Sequence, residues 1–256
     1  MRSFFISDLH LSAQNQPVNA LFQHFLSEIA PTGQQLFILG DFFEYWLGTD
    51  IMDEFQRSCL EQLRQLSQKG IAIYFLYGNR DFLISQSTLA HYGIRLLPDI
   101  SLHTLAGKKI LLCHGDHLCT LDIQYQRYKK LARNPLIKWL FLHSTQKFRH
   151  KLASKIHNKN PHTAEAERPD YALADATEEA ILKEIKTHQP DLIIHGHTHR
   201  MGLHWHTHSL RVVLGDWHQY GNYLMLTQDD MVLKSFRLAA LPHPPHLQNG
   251  KMDGKS

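Results

Sequence analysis

Short apolar runs, each followed at once by a side chain able to ligate a metal, recur along this 256-residue chain and constrain its fold more than any other feature. Arg2 to Ser7 reads as a buried strand and runs into Asp8-Leu9-His10. Leu36 to Leu39 leads to Gly40-Asp41-Phe42-Phe43-Glu44, and Ile71 to Tyr77 leads to Gly78-Asn79-Arg80-Asp81-Phe82. Lys109 to Cys113 ends in His114-Gly115-Asp116, and Leu192 to Ile194 ends in His195-Gly196-His197-Thr198-His199-Arg200. Runs of this kind read as buried strands. Helical periodicity lies between them: Leu21, Phe22, Phe25, Leu26 and Ile29 within 17–30, then Phe55, Leu60, Leu63 and Leu66 within 50–69. Strands alternating with helices predict a layered α/β sandwich, in which groups at the carboxyl ends of the strands converge on a crevice.

The strand-end groups are Asp8, His10, Asp41, Asn79, His114, His195 and His197. Residues two apart on a strand point the same way, so Asp8 can act with His10, and His195 with His197. The chain has 20 histidines, most of which cannot be ligands; placement at a strand end carries the reading, not histidine content. Oxygen and imidazole donors without thiolate suit Mn, Fe or Zn. Seven groups exceed the needs of one ion. Two ions sharing a bridging carboxylate would use them all, in the arrangement that activates water for in-line phosphoryl displacement.

Charge is unevenly spread. From Ile123 to Ala164 there is no Asp or Glu, but there are ten basic residues: Arg127, Lys129, Lys130, Arg133, Lys138, Lys147, Arg149, Lys151, Lys155 and Lys159. The rest of the chain holds 17 basic against 24 acidic residues, a balance of −7. Residues 122–168 therefore read as a helical insertion in a domain spanning 1–240, with its helical part in two pieces divided at Asn134-Pro135. The second piece begins with the apolar Leu136 to Leu142. A basic, apolar insertion suggests an anionic lipid or membrane surface as partner. Asp175-Ala176-Thr177-Glu178 reads as a capping box opening a further helix. His204, His206 and His208 are expected on a solvent-facing strand side, and 241–256 as a disordered tail. Cys59, Cys113 and Cys119 form no paired motif and fit a reducing compartment. The start is too soon interrupted for a signal peptide, and no apolar run approaches a membrane span. These features predict a cytoplasmic protein.

The ordered series D-x-H, G-D, G-N, H-G and H-G-H resembles that of the calcineurin-like metallophosphoesterases over roughly Met1 to Leu226. The resemblance implies a core of two sheets flanked by helices, here with the insertion as a lid. That superfamily usually has His after its Asn; here Arg80 follows Asn79. In this the chain is similar to one branch, the UDP-2,3-diacylglucosamine hydrolases of lipid A biosynthesis, as it is in Phe42-Phe43-Glu44-Tyr45-Trp46, Leu118-Cys119-Thr120 and Tyr125-Gln126. The branch implies hydrolysis of a lipid-linked UDP-sugar at its pyrophosphate. It also implies two divalent ions, most suitably Mn²⁺, and peripheral attachment to the cytoplasmic face of the inner membrane. One ion is expected on Asp8, His10, Asp41 and His197, the other on Asp41, Asn79, His114 and His195. A general G-H-x-H reading pairs His197 with His199 instead. The branch further implies catalytic roles for Asn79, Arg80 and His114. Substrate contacts would come from Asn79, Arg80, Asp122, Tyr125, His195 and Asn160. The loop at 160–167 lacks the basic residue expected near its end.

Two other readings compete. A phosphodiesterase acting on nucleotides or nucleic acid would use the basic run on phosphates, but phosphate binding alone needs no apolar helix, so no nucleic acid is expected. A membrane-associated scaffold with an inactive site is opposed by the intact ligand set. No obligate protein partner is expected.

Overall fold

The computed structural model describes residues 1–159 and 175–238. Asn160 and the expected tail lie outside the described residues. Two sheets stack face to face. The first has the order β11-β10-β1-β2-β3-β4. Its parallel part comprises β1 (Ser3–Ile6), β2 (Gln35–Ile38), β3 (Ala72–Phe75) and β4 (Ile94–Leu96), and the antiparallel pair β10 (Gly221–Leu226) and β11 (Met231–Phe236) completes it. The second has the order β5-β6-β7-β9-β8. It comprises β5 (Ile100–Leu105), β6 (Lys108–Cys113), β7 (Leu192–His195), β8 (Gly202–His206) and β9 (Ser209–Val213), with β6, β7 and β9 parallel.

Side-chain alternation assigns the layers. Phe5 and Phe37 point between the sheets, where they meet Leu112, Ile194, Val212 and Leu224. Phe4, Ile6, Leu36 and Ile38 point outward, under helices α1 (Gln16–His24) and α2 (Glu54–Gln68). Leu111, Cys113 and Ile193 face α7 (Glu178–His188). Each core strand is thus covered on both faces, which is why its sequence is an unbroken apolar run. The α/β layered sandwich expected from the sequence is the observed architecture.

Several local expectations are corrected. Helix α3 (Gln86–His91), β4 and β5 were not foreseen. Helix α2 begins at Glu54 under a capping box of Asp53 and Gln56, not at Asp50. The cap of α7 is Thr177, whose hydroxyl accepts from Ala180 N; the Asp175 carboxylate instead accepts from Ala176 N and pairs with Arg200. His206 is buried, bonded to Glu178 and Arg211, because β8 ends there and the chain turns through Thr207.

Between β6 and β7 the insertion forms three helices, not two: α4 (Ile123–Ala132), α5 (Pro135–Leu142) and α6 (Gln146–Lys159). Asn134 caps α5, with Pro135 at its first position. A second break follows at His143, where Ser144 bonds back to Phe141 O. Much of the basic run is spent in docking. Lys129 reaches Asp116, Arg133 reaches Asp99 and Gly78 O, and Lys138 reaches Phe82 O. Arg149 is only 2% exposed and donates to Leu47 O and the Asp50 carboxylate. In contrast Leu131, Leu136, Trp139, Leu140 and Phe148 are exposed.

Arg149→Ala is expected to lower stability by about 1–2 kcal/mol, the net worth of charged hydrogen bonds discounted because Asp50 is half exposed. At about 2–4 °C per kcal/mol for a domain near this size, calorimetry should show a Tm lower by several degrees. Lys147→Ala, on the exposed side of α6, should leave Tm unchanged.

Candidate metal centre

The ends of β1, β2, β3, β6 and β7 bring the motif residues to one edge of the sandwich. There the backbone leaves the strand conformation abruptly. Asp8, His10, Asp41, His197 and His199 all have φ between 50° and 65°. Non-glycine residues reach this left-handed region rarely and at a cost, and clusters of them mark functional sites. The neighbouring glycines are required by close approach. A Cβ on Gly196 would stand 2.0 Å from Asp8 Oδ2, and one on Gly40 would stand 2.4 Å from Gly78 N.

Two clusters result. Asp8, His10 and His199 bring ligand atoms within 4.8 Å of one another, as do Asp8, Asp41 and His114. His199 Nε2 lies 3.3 Å from Asp8 Oδ1. In the second cluster His114 Nε2 is 3.0 Å from Asn79 Oδ1 and 3.7 Å from Asp41 Oδ1. His197 Nδ1 is 3.1 Å from the same Asn79 oxygen. His114 donates Nδ1–H to Leu39 O at 2.8 Å, which turns its Nε2 toward Asn79 and Asp41. Two imidazoles on one amide oxygen, with the Asp8 and Asp41 carboxylates grouped with His114, form a donor set suited to divalent cations.

The remaining histidines of the motif are placed as follows. His199, expected behind the ligands, stands with Asp8 and His10. His197, expected with Asp8 and His10, stands with Asn79 and His114. His195 joins neither group. Its Nδ1 donates to Gly196 O at 2.9 Å, and its Nε2 accepts from Arg211 Nη1 at 3.2 Å. Strand β7 ends at His195. The two-residue alternation that linked His195 to His197 stops there, and the following turn sends His197 and His199 into the site.

Burial works against charge on Asp8, yet His199, His114 and His10 hold its carboxyl well below the usual range. Burial and the Asp8 charge raise Asp41. Burial, with the Asp41 charge, pushes Asp81 up to about 7 even though it accepts from Phe42 N and Gly78 N, tying the loops after β2 and β3 together. Burial and neighbouring His114 push His197 down to about 3, so it is neutral, the ligating form. Burial opposes charge on His114, but Asp41, Asp8 and Asp116 outweigh it and raise its pKa.

Arg80 sits beside the second cluster. Its backbone N–H donates to Asp41 Oδ1 at 3.0 Å, and Nη1 donates to Glu44 at 2.8 Å. The Tyr125 ring lies 5.7 Å from that of His197, and its hydroxyl donates to Asp116. Asp122 caps α4 by accepting from Tyr125 N. A cleft of about 150 Å³ runs between α4 and the core, past His114, Asp116, Lys129 and Arg133. Sequence reasoning gave no role to Glu44, Asp81, Asp116 or Arg211, although the first three stand inside the motifs.

A two-sheet core with strand-end Asp, Asn and His groups paired across it is a metallophosphoesterase arrangement. Residues 1–201 match the family model described as calcineurin-like phosphoesterase, and the chain belongs to that family. Three relatives carry the name UDP-2,3-diacylglucosamine hydrolase. That of Histophilus somni is 40% identical over 84% of this chain and 92% of its own length. That of Edwardsiella ictaluri is 40% identical over 94% of both. That of Pseudomonas aeruginosa is 42% identical over 86% of this chain and 93% of its own length.

His199→Ala is expected to lose about half the bound divalent metal after dialysis, measured per folded chain. His195→Gln should keep full metal stoichiometry and weaken affinity by no more than about tenfold, the lower end for a residue outside the ligand set.

Proposed function

We propose that this chain hydrolyses the pyrophosphate bond of UDP-2,3-diacylglucosamine, releasing UMP and 2,3-diacylglucosamine 1-phosphate. The observation carrying this reading is the identity of about 40% over most of the chain to relatives of that name, supported by a ligand set in place at the strand ends. Asp8, His10, Asp41 and His199 would hold one divalent ion, and Asp41, Asn79, His114 and His197 a second, with Mn²⁺ suited to these donors. Such a pair, when bound, supplies a nucleophilic water at neutral pH and offsets charge on the phosphoryl oxygens.

The chain's own residues do the rest. The planar guanidinium of Arg80 can fork onto two phosphate oxygens; Nη1 lies on Glu44 and Nε is buried, which leaves Nη2 for the substrate. Burial of the ligands excludes bulk water and strengthens each contact. The exposed apolar residues of α4–α6 support acyl-chain contact and attachment to a membrane surface, with Lys130, Lys147 and Lys151 exposed nearby. The peripheral, cytoplasmic-face location belongs to the same proposal. No helix among the described residues is long and apolar enough to cross a membrane.

Turnover of the UDP-lipid with Mn²⁺, compared with a nucleotide diester, tests the reading. Cleavage of only the diester would overturn it. Arg80→Ala is expected to lower kcat by about 10²–10³-fold, as for loss of a preorganised anion-stabilising donor, with metal content unchanged. Leu136→Gln with Leu140→Gln should raise KM for the UDP-lipid about tenfold and leave kcat alone, since each acyl CH₂ left unburied costs about 0.8 kcal/mol.

A further inference from the structure

Glu44 lies in the loop after β2, and its side chain is 11% exposed. Its backbone is fixed: Glu44 N donates to Leu11 O at 3.0 Å, and Phe43 bridges Leu11, so the loop is tied to the segment just after His10. Its carboxylate spans two parts of the site. Oε1 accepts from Arg80 Nη1 at 2.8 Å, and Oε2 lies 3.8 Å from His10 Nδ1, too far for a hydrogen bond. Arg80 has a competing anion close by. Its Nε is 3.8 Å from Asp41 Oδ2, is buried, and makes no hydrogen bond. Asp41 is 2% exposed and belongs to the cluster it forms with Asp8 and His114. A guanidinium that closed this gap would form a charge-assisted pair with the carboxylate that the metals need. It would also turn its fork away from any phosphate.

We propose that Glu44 is a positioning residue. It anchors Arg80 by Nη1, holds the guanidinium off Asp41, and so keeps Asp41 available for metal and Arg80 available for phosphate. The inference rests on the reading that Arg80 meets a phosphate of the substrate. It makes a statement that a merely structural role does not. Loss of Glu44 should weaken metal binding through Arg80, and removal of Arg80 should restore it.

The test is a double-mutant cycle on the full chain, with Mn²⁺ affinity read by titration calorimetry and kcat and KM read with UDP-2,3-diacylglucosamine. Glu44→Ala should weaken Mn²⁺ binding about tenfold, within the range for residues that support metal ligands. It should lower kcat at least tenfold with KM within about threefold of wild type. In Glu44→Ala with Arg80→Ala, Mn²⁺ affinity should return to within about threefold of Arg80→Ala alone, and the kcat losses should not multiply, as for residues acting as one unit. Glu44→Gln keeps the shape, loses the charge, and should shift both readouts in the same direction; it serves if Glu44→Ala fails to fold. Wild-type Mn²⁺ affinity in both Glu44 variants, or losses that multiply in the double variant, would overturn the proposal. If the wild-type chain does not cleave the UDP-lipid, the functional reading fails, and the Mn²⁺ cycle still decides the role of Glu44.

Discussion

Two carboxylates, Asp8 and Asp41, are held almost wholly out of water, close enough for the charge of one to raise the other. An isolated buried carboxylate is strongly unfavourable. Every nearby feature offsets that cost or depends on it. Asp8 accepts from Ser7 Oγ and His197 N. Asp41 accepts from Arg80 N, while Asp81 clamps the loops on either side. Five residues take left-handed backbone conformations to direct their side chains inward. Such strain persists only where the surroundings over-determine it, and here two packed sheets do so.

The basic run of the insertion divides between docking and exposure. A run of ten basic residues without an acid suggests a surface made for anions. Its buried or half-buried members Lys129, Arg133, Lys138 and Arg149 instead bond to core carboxylates and carbonyls. The acidic body of the chain is their partner. Asp116 joins this docking to the site, since it takes Tyr125 and Lys129 from α4 while lying beside His114. Arg127, Lys130, Lys147 and Lys151 stay exposed beside Leu131, Leu136, Trp139, Leu140 and Phe148.

The strands that carry the site were legible because burial on both faces leaves them uniformly apolar. Strand β5 was not: its Ser101, His103 and Thr104 interrupt any apolar run, and only Ser101 and Leu105 are buried. Strand β4 has three residues, too few for a pattern. The donor set was legible as residue types at strand ends, whereas its division between ions came only from the family resemblance. Alternation along β7 predicted His195 with His197, but that rule holds only while the chain is extended. Past His195 the turn geometry decides, and His199 reaches Asp8. Glu44 and Asp81 were visible within their motifs, yet nothing in one dimension says that Glu44 meets Arg80 or that Asp81 bonds across to Phe42.

The central claim is that Asp41 lies between two ion sites, one completed by His199 and the other by His197. Anomalous diffraction at the manganese edge from Mn²⁺-soaked crystals tests it most directly. The account predicts two peaks about 3.5–4 Å apart, one against Asp8, His10 and His199, the other against Asn79, His114 and His197, with Asp41 touching both. A single peak, or a peak ligated by His195, would contradict it.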